Sequence, residues 1–218
     1  THRHTLFPYT TLFRSVTDPP ALDAAAGRLY LVLGDRTVHA LDLAAGRERW
    51  SRRLAFSIGD VLLSPDGQRV TVVPSPFTTN GEIVLLDPAT GEVRRRRSLR
   101  TGAFADAAPA PDALLVAERD TDGYLVVQAL DPLQLGVRWR SAPLWLAHPS
   151  RLAVGEGLIG VTGREAEDPV AVLLDAATGR IAADRRPEGA SVLSVGLAGG
   201  LVCLGSDRGL FALGPSEG

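Results

Sequence analysis

The chain has 218 residues, 45% of them hydrophobic and 22% charged, with a formal net charge of -2 and a single cysteine. That is enough apolar side chain to bury the core of one domain, which excludes a disordered chain, and the charge balance supplies no positive field for a phosphate backbone. One thiol, Cys203, excludes an intrachain disulfide, a thiolate zinc site and a dithiol redox pair, and no apolar run approaches the roughly 20 residues of a membrane-spanning helix.

In chain order, the opening stands apart. THRHTLFPYTTLFRS concentrates Phe7, Pro8, Tyr9, Leu12 and Phe13 in a chain that is only 6% aromatic. Thr5 to Ser15 resemble the in-frame translation of a common short-read sequencing adapter, and the segment lacks the continuous apolar stretch and small-residue cleavage site of a secretory signal. Residues 1–15 are therefore read as non-native, and residues 16–218 as the repeat domain. All 23 basic residues are arginine and there is no methionine, so the frame is expected to be a fragment whose native N-terminal part is missing.

From there a period governs the chain. Leu-Asp recurs at Leu41-Asp42, Leu86-Asp87, Leu130-Asp131 and Leu174-Asp175, at intervals of 45, 44 and 44 residues, and Leu213-Gly214 is a fifth copy without the acid. Each copy ends a β-rich run, such as TVHALD or EIVLLD, and a partner run such as LYLVLG or RVTVVPS lies just before it. After the acid comes a turn, Asp42 to Gly46, Asp87 to Gly91 and Asp175 to Gly179, with a version from Asp131 to Gly136 read as one residue longer. An Asp carboxylate accepts from the backbone N–H groups just downstream, and glycine tolerates the positive φ that closes the turn, so these acids are expected to be structural. A third run follows each turn (ERWSRRL, EVRRRRSLR, VRWRSAPL, IAADRRP) and a fourth precedes the next hairpin, as in SIGDVLLSPDG.

Four short strands in about 44 residues is the length of one propeller blade. The expected fold is all-β, a β-propeller of four-stranded antiparallel blades. The blades are expected near residues 20–54, 57–99, 103–143 and 147–186, followed by three strands over 190–214, about four and three-quarter blades of an incomplete ring. A sandwich or barrel is the competing all-β architecture, and the regular spacing of one specific turn argues against it.

The stretch Ala40-Leu-Asp42-Leu-Ala-Ala-Gly46-Arg-Glu-Arg-Trp50 resembles the Ala-x-Asp-x-x-Thr-Gly-x-x-x-Trp signature of PQQ-like, quinoprotein-type β-propeller repeats. The second copy keeps Asp87, Thr90 and Gly91, with Leu85 and Arg95 in the alanine and tryptophan places. The third keeps Ala129, Asp131 and Trp139, and the fourth keeps Asp175, Thr178 and Gly179 with Leu173 and Ala183. The resemblance implies that Trp50 and Trp139 dock neighbouring blades, and a large aromatic on an outer strand has the area to do so. It also invites a quinone, yet the only asparagine is Asn80 and Cys203 has no cysteine neighbour, so the calcium, amide and vicinal-disulfide set of the dehydrogenases is not visible.

Other constellations point the same way. His39 reads as a packed or rim histidine and His148 has no metal-spaced partner; Glu165, Glu167, Asp168 and Ser206-Asp207 read as hairpin connections. Arg94 to Arg97 is the one dense charge run; side chains alternate along a strand, so it reads as a protected outer edge rather than a site for an acidic partner. The expectation is a non-catalytic scaffold or binding module of the bacterial cell envelope, with no cofactor or metal, a protein or small-ligand partner and no nucleic acid. The alternative is a fragment of a quinoprotein-type dehydrogenase whose active residues lie in missing blades.

Overall fold

The computed structural model describes residues 20–34, 36–76, 81–99, 104–147, 152–155, 157–165, 168–186, 192–198, 201–206 and 209–213. Residues 1–15, Asn80, His148, Glu167, Asp207 and Gly214 lie outside them. The chain divides into two compact units, residues 1–99 and 100–218, each taken by itself below.

The first unit holds two four-stranded antiparallel meanders. One runs β1 (Ala21–Asp23), β2 (Arg28–Leu33), β3 (Thr37–Asp42), β4 (Arg47–Arg53), and the other β5 (Ile58–Leu63), β6 (Val70–Pro74), β7 (Glu82–Leu86), β8 (Val93–Ser98). They share one core in which Tyr30 and Val32 of β2, Val38 and Ala40 of β3, Val70 and Val72 of β6 and Val84 and Leu86 of β7 alternate inward. Leu31, Val73, Ile83 and Leu85, on the opposite faces, are buried as well. Inner strands covered on both faces explain why these runs read as continuous apolar stretches, whereas β4 and β8 stand at sheet edges and are largely exposed.

The second unit repeats the pattern in β9 (Phe104–Pro109), β10 (Leu114–Arg119), β11 (Leu125–Leu130), β12 (Val137–Arg140), and again in β13 (Ala153–Gly155), β14 (Leu158–Glu165), β15 (Asp168–Asp175), β16 (Ile181–Arg185). A three-stranded meander follows: β17 (Val192–Ala198), β18 (Leu201–Ser206), β19 (Gly209–Leu213). The blade boundaries agree with those expected from the period, and the described residues include no α-helix.

β12 is shorter than its sequence suggests. Its ladder ends at Arg140, and the Ser141 hydroxyl accepts from the Val127 N–H at 3.1 Å while its own N–H donates to the Val127 carbonyl at 2.8 Å. Pro143, which has no N–H, then ends regular pairing, and the chain rejoins β11 only through an isolated bridge between Leu125 and Leu144.

Candidate functional site

The repeat motif forms the same local structure four times. The Asp42 Oδ1 accepts from the Ala45 N–H at 2.8 Å; Asp87 Oδ1 accepts from Ala89 and Thr90 at 2.8 and 2.9 Å; Asp131 Oδ1 accepts from Leu133 and Gln134 at 2.9 and 2.8 Å; Asp175 Oδ1 accepts from the Thr178 N–H at 2.8 Å and hydroxyl at 2.7 Å. Each acid's own carbonyl receives the N–H four residues on, from Gly46, Gly91, Leu135 and Gly179. The third turn is therefore no longer than the others. Leu135, at φ 57°, stands in the glycine place, and Gly136 lies outside the positive-φ position. Leu135 is only 2% exposed, and its burial offsets the cost of a left-handed leucine.

An arginine completes three of the four turns. Arg49, Arg94 and Arg138 reach Oδ2 of Asp42, Asp87 and Asp131 at 2.6, 2.6 and 2.8 Å. The reason is a β-bulge at the same place in each blade: Ala40 faces Trp50 but Leu41 faces Glu48, Leu85 faces Arg95 but Leu86 faces Val93, and Ala129 faces Trp139 but Leu130 faces Val137. The residue skipped in each register is the arginine, and a bulge re-aims its side chain along the strand toward the turn. In the fourth blade the skipped residue is Ala182, and Thr178 supplies the extra donor. These partners hold the carboxylates ionised. Arg94 beside Asp87 and Arg138 beside Asp131 lower each pKa to about 2, and the Ala45 N–H and the Thr178 hydroxyl lead the lowering at Asp42 and Asp175.

The tryptophans reach the next turn along the chain. Trp50 Nε1 donates to the Pro88 carbonyl at 3.2 Å, an acceptor it shares with the Tyr30 hydroxyl, and Trp139 Nε1 donates to the Ala176 carbonyl at 3.1 Å. The rings lie on the following glycines: a Cβ on Gly91 would stand 2.6 Å from the Trp50 ring, and one on Gly179 would overlap the Trp139 ring. Glycine is required here twice over, by φ values of 69° and 71° and by this approach. Cross-strand volume compensates, since alanine faces each of these tryptophans (Ala40, Ala129) and leucine faces Arg95 and Ala183.

A second constellation lies outside the repeat. In the connection after β12, Leu144 and Leu146 are buried and Trp145 between them is 68% exposed. Its ring meets Tyr124, from the β10–β11 turn, edge to face with centroids 4.2 Å apart and planes at 73°. Together with Arg119, Asp122, Arg164 and Glu165 they line a cavity of about 250 Å³. A cavity of about 370 Å³ beside β8 is rimmed by Arg96 and Glu82, which satisfy each other at 2.7 Å.

A family model described as "Outer membrane protein assembly factor BamB", of the PQQ_2 repeat type, matches residues 11–116 and 34–144, which together exceed half of the chain. The chain belongs to this PQQ-like family. Among solved structures, the computationally designed Ika8 protein is similar at 14% identity with a TM-score of 0.71, over 89% of this chain and 57% of that one. BamB from Moraxella catarrhalis is similar at 15% identity with a TM-score of 0.54, over 90% of this chain and 72% of that one. Both likenesses carry the propeller fold. The chain spans little more than half the length of the designed protein. No curated protein matches it.

Within this PQQ-like propeller the remaining candidate residues separate. His39 pairs with Glu48 at 2.5 Å across β3 and β4, Glu165 pairs with Arg186, and Cys203 is half-buried on β18. Among the described residues no three His, Cys, Asp or Glu side chains converge to hold a metal. The arginine run lies on the outermost strand β8, as read, but Arg94 and Arg96 are engaged by Asp87 and Glu82. Two features escaped the sequence reading. The Asp-to-Arg spacing of seven was present at three acids, whereas Trp145 announced itself only by standing off the repeat register in an apolar connection.

Proposed function

We propose that this chain is a non-catalytic propeller module that binds a protein or a small ligand at the bacterial cell envelope. The observation carrying this reading is the use made of the repeat acids: at Asp42, Asp87 and Asp131 one carboxylate oxygen serves backbone N–H groups and the other serves an arginine of the same blade. Acids committed this way hold turns. They do not fit a calcium and quinone site, because a cation would have to displace a guanidinium from each. The family supports the envelope setting through its description as an outer membrane assembly factor. What the module offers a partner is the Trp145 and Tyr124 surface, since exposed tryptophan, tyrosine and arginine are the side chains that dominate binding energy at interfaces.

Two measurements test the reading. Mixed with pyrroloquinoline quinone, calcium and a dye acceptor, the purified chain is expected to leave the dye oxidised with alcohols and sugars; turnover would overturn the non-catalytic assignment. Fractionation of bacteria carrying the full gene with a C-terminal epitope tag is expected to recover the product with the envelope, and recovery in the cytosol would overturn that placement.

A further inference from the structure

The Trp145 corner is built rather than incidental. The segment carrying it is tied to β11 by paired backbone hydrogen bonds between Leu144 and Leu125 at 2.8 and 3.0 Å, and to β14 by those between Ala147 and Arg164 at 2.7 and 2.8 Å. Arg119 clamps it, donating from Nη1 to the Gly123 carbonyl at 2.6 Å and from Nη2 to the Leu146 carbonyl at 3.1 Å. The Asp120 carboxylate accepts from the N–H groups of Asp122 and Tyr124 at 3.1 and 2.9 Å, which sets the turn presenting the Tyr124 ring. A large aromatic is thus held facing solvent by a frame that has already lost its freedom.

Size and rim chemistry define what fits. About 250 Å³ lies below the roughly 300 Å³ at which drug-sized pockets begin, and leaves room for one ring-sized group. Both signs of charge meet at the rim: the carboxylates of Asp122 and of Glu165, the latter paired with Arg186, disfavour an anion, and the guanidinium groups of Arg119 and Arg164 disfavour a cation. A purely apolar group would strip water from the exposed Asp122 carboxylate without return. A ring with a C–H face and a hydroxyl edge suits every wall. The electron-rich aromatic face attracts weakly positive C–H groups, and hydroxyls both donate to carboxylates and accept from guanidinium.

We infer that Trp145, Tyr124 and the adjoining cavity form a binding site for one neutral pyranose ring of a glycan, stacked on Trp145 with its hydroxyls toward Asp122, Arg164 and Glu165. The inference rests on the binding-module reading and adds the ligand class. Arg119 is a positioning residue, because its terminal donors serve the frame.

The test titrates the full chain with maltose, cellobiose and chitobiose, followed by calorimetry and tryptophan fluorescence. Saturable binding of at least one is expected, with a Kd of about 1 mM. Trp145→Ala should weaken it by at least about tenfold, the worth of one aromatic stacking contact, without altering the circular dichroism or the melting temperature of an otherwise unchanged fold. Trp145→Phe, which keeps a smaller platform, should lose less affinity and abolish the fluorescence change. Absence of saturable binding by all three sugars, or equal binding by parent and Trp145→Ala, overturns the proposal. So does loss of a protein partner on Trp145→Ala with no sugar bound, which assigns the face to protein docking. Calcium- and quinone-dependent oxidation of a bound sugar would overturn the non-catalytic reading and leave this site standing.

Discussion

At the residue scale, the repeat acids tie stability to pH in a defined direction. Asp87 and Asp131 titrate near 2 in the folded chain against an ordinary 3.8, and Asp42 and Asp175 are shifted the same way. A carboxylate with a depressed folded pKa contributes stability above its unfolded pKa and loses that contribution as pH falls through the folded one. Stability should therefore be level at neutral pH and decline between about pH 4 and pH 2. Asp87→Ala should flatten part of that decline and lower stability at pH 7 by about 1 kcal/mol, the worth of a turn hydrogen bond with a solvent-exposed ion pair adding little. Thermal melts of parent and variant across pH 2 to 7 check both. A second residue-scale contrast concerns two glycines that follow repeat acids in different blades. Gly179→Ala meets the Trp139 ring at positive φ and should cost at least about 2 kcal/mol, whereas Gly136→Ala has open space and should stay within about 0.5 kcal/mol. Urea unfolding of the two variants decides it.

At the element scale, the outer strands of the first and third blades combine a bulge, an arginine and a docking tryptophan within three positions, and a side chain can stand in for the ladder where the strand fails. Ser141 is the example. Its hydroxyl takes the Val127 N–H in a buried setting and donates to the Ala142 carbonyl at 2.8 Å. Ser141→Ala leaves a buried donor unsatisfied and should cost about 1 to 3 kcal/mol. Amide exchange checks the mechanism: Val127 protection should fall more than that of Leu115 on the neighbouring strand β10. The arginine run of β8 has a double role at this scale. It keeps an exposed edge charged, and through Arg94 it locks the turn before it.

At the scale of the whole molecule, the described strands begin with the first blade. β1 starts at Ala21, and the cores of both units are made from residues that follow it. We propose that residues 1–15 contribute nothing to the fold, in keeping with their adapter-like sequence. A chain lacking them should unfold within about 0.5 kcal/mol of the parent in urea, and a larger loss would show them to be part of the domain. Each unit carries one tryptophan that docks onto the following turn, Trp50 in the first and Trp139 in the second. In such arrays stability grows by neighbour contacts rather than through one central core.

The sequence by itself determined the blade count, the strand order and the turn acids. Those depend on short-range chemistry: a period of about 44 residues, alternation along strands, and an Asp that reaches its own downstream amides. It misjudged the third turn, because a glycine one place late looked like an insertion when a buried leucine could hold the left-handed position. The arginine partners were legible as a spacing of seven, but only the bulge explains why an outer-strand residue turns back to the acid. Tertiary structure alone decided which tryptophan packs against a neighbouring turn and which is displayed. Trp139 and Trp145 stand six residues apart in similar surroundings, and only the packing of one against Gly179 and the outward alternation of the other, between two buried leucines, separates a docking residue from a binding surface.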